Sequence, residues 1–243
     1  MQLEIFKNNN TYCLYDESEI TNFTPDMLCA QYWQDKNAIT GSAQGRGTTW
    51  FIQHRNESSQ PEKHWVLRHY YRGGLIGKMI NDSYWFTSQK NTRAAREFSL
   101  LAHMQTLRLP APKPIAYLVS RHNFFYRADL LSSRIENAQD LVAILTKGPI
   151  SDALWFDIGK AIQNFHQHGI YHHDLNAHNI LIDNDNKPWL IDFDQGEVKK
   201  VNRSWQQNNM QRLLRSFNKE KHKLPKFNWQ EGNWKALLAG YNQ

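Results

Sequence analysis

Apolar and polar residues follow a short, strand-like period through most of the first half of this chain and a helical one in much of the second, with Asn-, Gly- and Pro-bearing stretches between. The first 40 residues predict a strand pair around the turn Lys7-Asn8-Asn9-Asn10. A helix then opens at Thr24-Pro25-Asp26, a favourable cap and first turn. In ITGSAQGRGTTWFIQH, Gly41, Gly45 and Gly47 stand between strands, and the next strand, WVLRHYY, ends at Arg72-Gly73-Gly74. Helical spacing runs from Thr92 to Leu107, with Leu100, Leu101, Met104 and Leu107 on one stripe and Glu97 in phase with it. Leu109-Pro110-Ala111-Pro112 breaks this helix. Ile115–Val119 and Asn123–Leu130 form a second strand pair, and Leu131–Asn137 reads as a connector. Ser151-Asp152 caps a helix whose Leu154, Ile158, Ala161, Ile162 and Phe165 face inward and which stops at Gly169.

That helix leads into YHHDLNAHNILIDNDNKPWLIDFD, residues 171–194. Two apolar runs, Asn179–Ile182 and Trp189–Ile191, flank a turn rich in Asn, Asp and Pro, which is the form of a hairpin. Closing it brings Asp174 and Asn179 near Asp192, two carboxylates and an amide oxygen that suit a hard divalent cation such as magnesium. Glu97, a carboxylate at the edge of a buried face, calls for a cationic partner, and the preceding strand offers Arg68. The glycines at 41, 45 and 47 allow backbone N–H groups to approach a phosphate, although glycine turns between strands are mostly plain hairpins.

Composition narrows the class. A chain of 243 residues has room for one large core or two lobes. Met1-Gln2-Leu3-Glu4-Ile5 is unlike a basic secretory leader, and no apolar run approaches the roughly 20 residues of a membrane span, so the expected location is the cytoplasm. Two cysteines, Cys13 and Cys29, lack metal-site spacing. His166, His172, His173 and His178 also lack the regular spacing of zinc ligands. The net charge of +6 is concentrated in Lys199–Lys226, where nine Lys/Arg residues meet the single acid Glu220. Such a run is a solvated face, an anionic membrane contact or a nucleic-acid contact, and no nucleic-acid motif favours the last.

HHDLNAHN resembles the catalytic loop of protein kinases, IDFD their metal-binding triplet, Glu97 their helix carboxylate and GSAQGRGTTWF their glycine-rich loop. The phrases GRGTTWFI, WVLRHYYRGGL, REFSLLAHM and GIYHHDLNAHNILID are similar to the lipopolysaccharide kinases, specifically those acting on 3-deoxy-D-manno-octulosonic acid (Kdo). The resemblance implies an α+β, two-lobed protein kinase-like fold, with an amino-terminal lobe over 1–130 and a carboxy-terminal lobe with a basic helical tail over 131–243. It implies ATP-dependent phosphorylation of the 4-hydroxyl of Kdo on a Kdo–lipid A precursor, by a peripheral protein at the cytoplasmic face of the inner membrane, with no nucleic-acid partner. Asp174 would act on the acceptor hydroxyl, Asn179 and Asp192 would hold Mg2+, and Gly41, Gly45, Gly47, Arg68 and Glu97 would serve the nucleotide. Departures are Arg68 where a lysine is expected, Asp194 in place of the triplet's glycine, and only 49 residues beyond it, too few for a peptide-binding lobe. A small-molecule kinase of the aminoglycoside or choline type and a kinase-like non-catalytic binding protein remain alternatives.

Overall fold

Alternating β-branched and aromatic residues in the amino-terminal part assemble a single antiparallel sheet. The computed structural model describes residues 1–45, 47–55, 61–72 and 82–243, so Arg46 and the Gly73-Gly74 strand end lie outside the described residues. The chain divides into two compact units, Met1–Ala102 with Pro112–Arg134, and His103–Ala111 with Ile135–Gln243.

The first unit contains β1 (Leu3–Asn8), β2 (Thr11–Asp16), α1 (Ala30–Asp35), β3 (Ile39–Gln44), β4 (Thr48–His54), β5 (Lys63–His69), β6 (Tyr84–Trp85), most of α2 (Arg93–Thr106), β7 (Pro114–His122) and β8 (Phe125–Ser133). Its sheet runs β1-β2-β7-β8-β5-β4-β3, and β6 also pairs with β8. Asn9 and Asn123 take left-handed conformations at φ 38° and 52° in the two hairpin turns, a geometry asparagine tolerates better than most side chains. The core is set by Trp33 of α1, fully buried, which donates from Nε1 to Met27 O at 2.7 Å and meets Trp65 edge-on at 5.8 Å. Ile52, Leu67, Ile115 and Leu131 complete it. Each such burial stabilises the fold by roughly 1.5–3 kcal/mol.

Three expectations shift. Thr24 makes no side-chain cap; Pro25–Leu28 is a 3-10 turn, and extended Cys29 separates it from α1. β5 ends at His69, before Tyr70 and Tyr71. Leu131 is not connector: although alternation breaks where Leu130 and Leu131 are both buried, β8 extends to Ser133 and Leu131 pairs with Leu67.

The second unit holds β9 (Gln139–Asp140), α3 (Leu141–Lys147), α4 (Asp152–Gln167), β10 (Ile170–Tyr171), β11 (Ile180–Ile182), β12 (Pro188–Leu190), β13 (Glu197–Val198), α5 (Arg203–Lys223) and α6 (Glu231–Tyr241). Ser151 Oγ accepts from Leu154 N at 3.2 Å, capping α4 as expected. The helix ends where Gly169, at φ 73°, lies so close to Lys199 that a Cβ would sit 2.3 Å from its carbonyl oxygen. α4 and α6 cross with their backbones in contact: a Cβ on Gly159 would fall 1.9 Å from Leu237 O, and one on Gly240 would fall 1.9 Å from Phe156 O. Trp155, Phe217 and Trp229 pack together beside this crossing, with ring centroids 4.3–5.5 Å apart.

Candidate active site

The loop between β10 and β11 is built from local amide bonds. Asn176 Oδ1 accepts from His178 N at 2.9 Å and Asn179 N at 3.2 Å, which starts a one-turn 3-10 helix, Ala177–Asn179. Asn176 and Asn179 both donate from Nδ2 to the carbonyl oxygen of Asp174, at 3.1 and 2.9 Å. The backbone of Asp174 is therefore pinned, while its carboxylate remains 45% exposed.

The predicted hairpin forms as β11 and β12, with Ile180 opposite Leu190. Asp183 is its turn former, accepting from Asp185 N, Lys187 N and Trp189 Nε1 at 2.8–3.0 Å. Ile191 N donates to Asn179 O at 3.0 Å, which closes the outer end. Beyond it Asp192 sits at φ 63°, an unusual conformation for a residue with a Cβ. His172 ties the two segments: Nδ1 accepts from Asp174 N at 3.2 Å, so the proton is on Nε2, which donates to Ile191 O at 2.9 Å. Burial pushes the pKa of His172 down, against the opposing charges of Asp192 and Asp174, and keeps this bridge neutral. Asp174 and Asn179 are thus joined directly, and Asp192 is set near them through His172.

Among the described residues no group of three or more His, Cys, Asp or Glu side chains is gathered for a metal ion. A cation at Asn179 and Asp192 would take one amide oxygen and one carboxylate, with phosphate and water completing its shell. That sparse all-oxygen donor set fits magnesium, which keeps several waters and uses few protein ligands.

The basic segment is not a tail. α5 runs beside the loop in register: Trp205 meets the Tyr171 ring edge-on at 5.9 Å, Asn209 Nδ2 donates to His172 O at 3.1 Å, and Arg212 Nη1 lies 3.2 Å from Asp174 Oδ1. One turn on, Ser216 Oγ accepts from Ala177 N at 3.0 Å, and buried Glu220 lies 3.6 Å from His178 Nε2. Asn209 Oδ1 also accepts from His166 Nε2 at 3.3 Å, and His166 Nδ1 accepts from the Tyr241 hydroxyl at 2.7 Å. Burial brings the pKa of His166 down to about 4. Charge counting missed this face. Its signal was the helical spacing of Trp205, Asn209, Ser216 and the lone acid Glu220 within a cationic run.

In the first unit, Arg68 pairs with Glu97, whose carboxylate is 4% exposed and also accepts from Tyr70 Oη at 2.7 Å. The charge predicted to need a cation has one. Arg68 lies opposite Thr49 across the strands, beside the β3–β4 turn that carries Gly45 and Gly47. Gly47 has a packing reason: a Cβ there would lie 2.0 Å from the ring of Tyr71. Gly41 and Gly45 meet nothing so close.

Comparison with known proteins places the chain in a family. The "Lipopolysaccharide kinase (Kdo/WaaP) family" matches residues 30–241. A protein of Vibrio cholerae named 3-deoxy-D-manno-octulosonic acid kinase is 48% identical over 197 residues, covering 81% of each chain. Proteins of the same name from Mannheimia succiniciproducens and Vibrio parahaemolyticus are 47% and 43% identical over 218 residues, covering 88% and 90% of this chain and 89% of each relative. Among solved structures, the Cydia pomonella granulovirus kinase PK-1 superposes with a TM-score of 0.44 at 14% identity, over 72% of this chain and 58% of its own length. With the family match spanning nearly the whole chain, this protein has an α+β, protein kinase-like fold and belongs to the lipopolysaccharide kinase (Kdo/WaaP) family.

Proposed function

We propose that the protein transfers the γ-phosphoryl group of ATP to the 4-hydroxyl of Kdo on a Kdo–lipid A precursor. The observation that carries this reading is the pinned Asp174 loop closed on the β11–β12 hairpin, in a chain whose relatives are named for Kdo phosphorylation. Asp174 orients the attacking hydroxyl and accepts its proton. Asn179 and Asp192 would hold magnesium, and the chemistry it would supply there is neutralisation of phosphate charge. Arg68, fixed by Glu97, binds phosphate with a planar fork where a lysine would offer a point charge. The β3–β4 turn, with Gly41, Gly45 and Gly47, covers the nucleotide. We take the lobes of this enzyme to be the two expected at 1–130 and 131–243, with the boundary moved past the end of β8 to Arg134.

The acceptor is a lipid, and we place the protein at the cytoplasmic face of the inner membrane as a peripheral enzyme. No helix among the described residues is long and apolar enough to cross a membrane. Two surfaces support docking. Arg215, Lys219 and Lys223 form an exposed stripe on α5, each adding about 1 kcal/mol near an anionic leaflet. In the first unit Trp85 and Phe124, 60% and 66% exposed, stack at 5.8 Å, the kind of side chain that settles at a lipid interface.

The test is the product made from ATP and a Kdo-bearing lipid A precursor. Mass spectrometry should show one added phosphoryl group and phosphorus–proton correlation should place it on O4, with Asp174→Ala giving none. Phosphate at another position, or the same product from Asp174→Ala, would overturn the assignment.

A further inference from the structure

Arg212 has no structural task that explains it. Its one polar contact among the described residues is Asp174, and both side chains are a little under half exposed. An ion pair in that setting contributes roughly 0–1 kcal/mol. The loop is already held by Asn209, Ser216, Asn176 and Asn179, without any charge. Those same bonds fix the α5 backbone, so the guanidinium is delivered to the acceptor-facing carboxylate by a rigid helix. Five N–H donors on a planar fork serve Asp174 with one edge and leave capacity for a second carboxylate.

The acceptor read under Proposed function, on which this inference rests, is itself an acid. In a 3-deoxy-octulosonic acid the carboxyl carbon is attached to the ketose carbon, which is separated from the 4-hydroxyl carbon by a single methylene. A molecule that presents this hydroxyl to Asp174 therefore brings its own carboxylate to the neighbourhood of Asp174. Two carboxylates meeting there repel unless a cation lies between them. We infer that Arg212 is the acceptor-recognition residue: its guanidinium binds the sugar-acid carboxylate, bridges it to Asp174, and so selects an acidic sugar and sets its hydroxyl on the catalytic carboxylate. Lys221 is the matched control. It stands nine residues on, which at 3.6 residues per turn places it on the opposite side of α5.

The experiment compares two acceptors, the Kdo-bearing precursor and the same molecule with its carboxyl group reduced to a primary alcohol, with wild type, Arg212→Gln, Arg212→Lys and Lys221→Gln. With wild type, reduction of the carboxyl should lower kcat/KM roughly 10- to 100-fold. Arg212→Gln should lose a similar factor on the acid and under about threefold on the alcohol, because the partner is already gone. Arg212→Lys should recover part of the loss on the acid, and Lys221→Gln should behave as wild type. The KM for ATP should stay unchanged throughout. Equal losses on both acceptors would make Arg212 a support for Asp174 only, and a raised KM for ATP would make it a phosphate ligand; either overturns the inference. If wild type phosphorylates both acceptors equally well, recognition through the carboxylate is wrong while the proposed activity stands. If it phosphorylates neither, the proposed activity falls and this inference with it.

Discussion

Asn209 is the most informative position to perturb, because one buried amide serves two histidines. Its Oδ1 accepts from His166 and its Nδ2 donates to His172 O, at 1% residual exposure. Asn209→Asp keeps the shape and the acceptor. It replaces the donor with an oxygen facing a carbonyl 3.1 Å away, and it buries a charge. At pH 8, where both histidines are neutral, the cost should be roughly 3–5 kcal/mol, within the usual total of about 5–15 kcal/mol. The pH dependence is the sharper part. In the wild type, His166 is held at about 4, mainly by burial, against an ordinary value of 6.5, and the groups facing it are Tyr241, Trp205, His172 and Asn209 itself. The folded protein binds fewer protons than the unfolded chain below 6.5, so stability is fully present above that pH and is lost as pH falls toward about 4. From His166 alone the loss between pH 8 and pH 5.5 is about 1.4 kcal/mol. His172, also depressed, acts in the same direction. In Asn209→Asp the new carboxylate favours the imidazolium of His166, raises its pKa and removes that loss. The stability gap between variant and wild type should therefore narrow by about 1–2 kcal/mol from pH 8 to pH 5.5. Urea unfolding at a series of pH values measures it, with Asn209→Leu, which adds no charge, as the variant whose gap must not narrow in this way. A gap for Asn209→Asp that is independent of pH, or that widens on acidification, would refute the account of His166 as a neutral, amide-bonded imidazole.

Other outcomes follow from the same geometry. Asp174→Ala should abolish transfer yet keep nucleotide affinity by equilibrium binding, whereas Asp192→Ala should lose magnesium-dependent turnover; unchanged activity at ordinary magnesium would remove Asp192 from the ligand set. Gly159→Ala should destabilise by roughly 1–3 kcal/mol, since its Cβ would overlap Leu237 O, while Gly232→Ala in α6, with nothing within 4 Å, should be neutral or slightly stabilising in chemical unfolding. Arg215, Lys219 and Lys223 changed together to Gln should weaken binding to anionic vesicles and flatten its salt dependence, as screening over a Debye length of about 8 Å requires; unaltered sedimentation with vesicles would count against the docking stripe.

Much of the site could be read from the chain because it is local. The Asn179–Ile182 and Trp189–Ile191 runs are hydrophobic on both faces and their turn is closed by Asp183, so hairpin and register follow from neighbouring residues. Glu97 could be paired with Arg68 because burying a lone carboxylate is costly, whatever the fold. α5 was not legible in the same way. Its six cations describe what solvent sees, while its function lies in polar side chains that match a loop 37 to 39 residues earlier, and composition carries no trace of that partner. α3 was also missed: seven residues is too short for periodicity to speak, and its cap, Asp140, is also a strand residue bonded to Ala143 N. The connector expected at Leu131 failed because burial extended a strand past the point where its alternation weakens.

The residue-by-residue match between α5 and the loop also bears on how such a chain can change length. Added residues in the hairpin turn at Asp183–Lys187 would lengthen a surface loop, at small cost in closure entropy. One residue inserted between Asn209 and Ser216 would turn everything beyond it by about 100°. Ser216 would leave Ala177, Glu220 would leave His178, and buried Phe217 would turn out toward water, although every side chain had been kept. Diverging members of the lineage are thus free to vary the outward face of this helix by substitution but barred from altering its length there. Alignments of relatives should place gaps in the hairpin turn and none between 209 and 216.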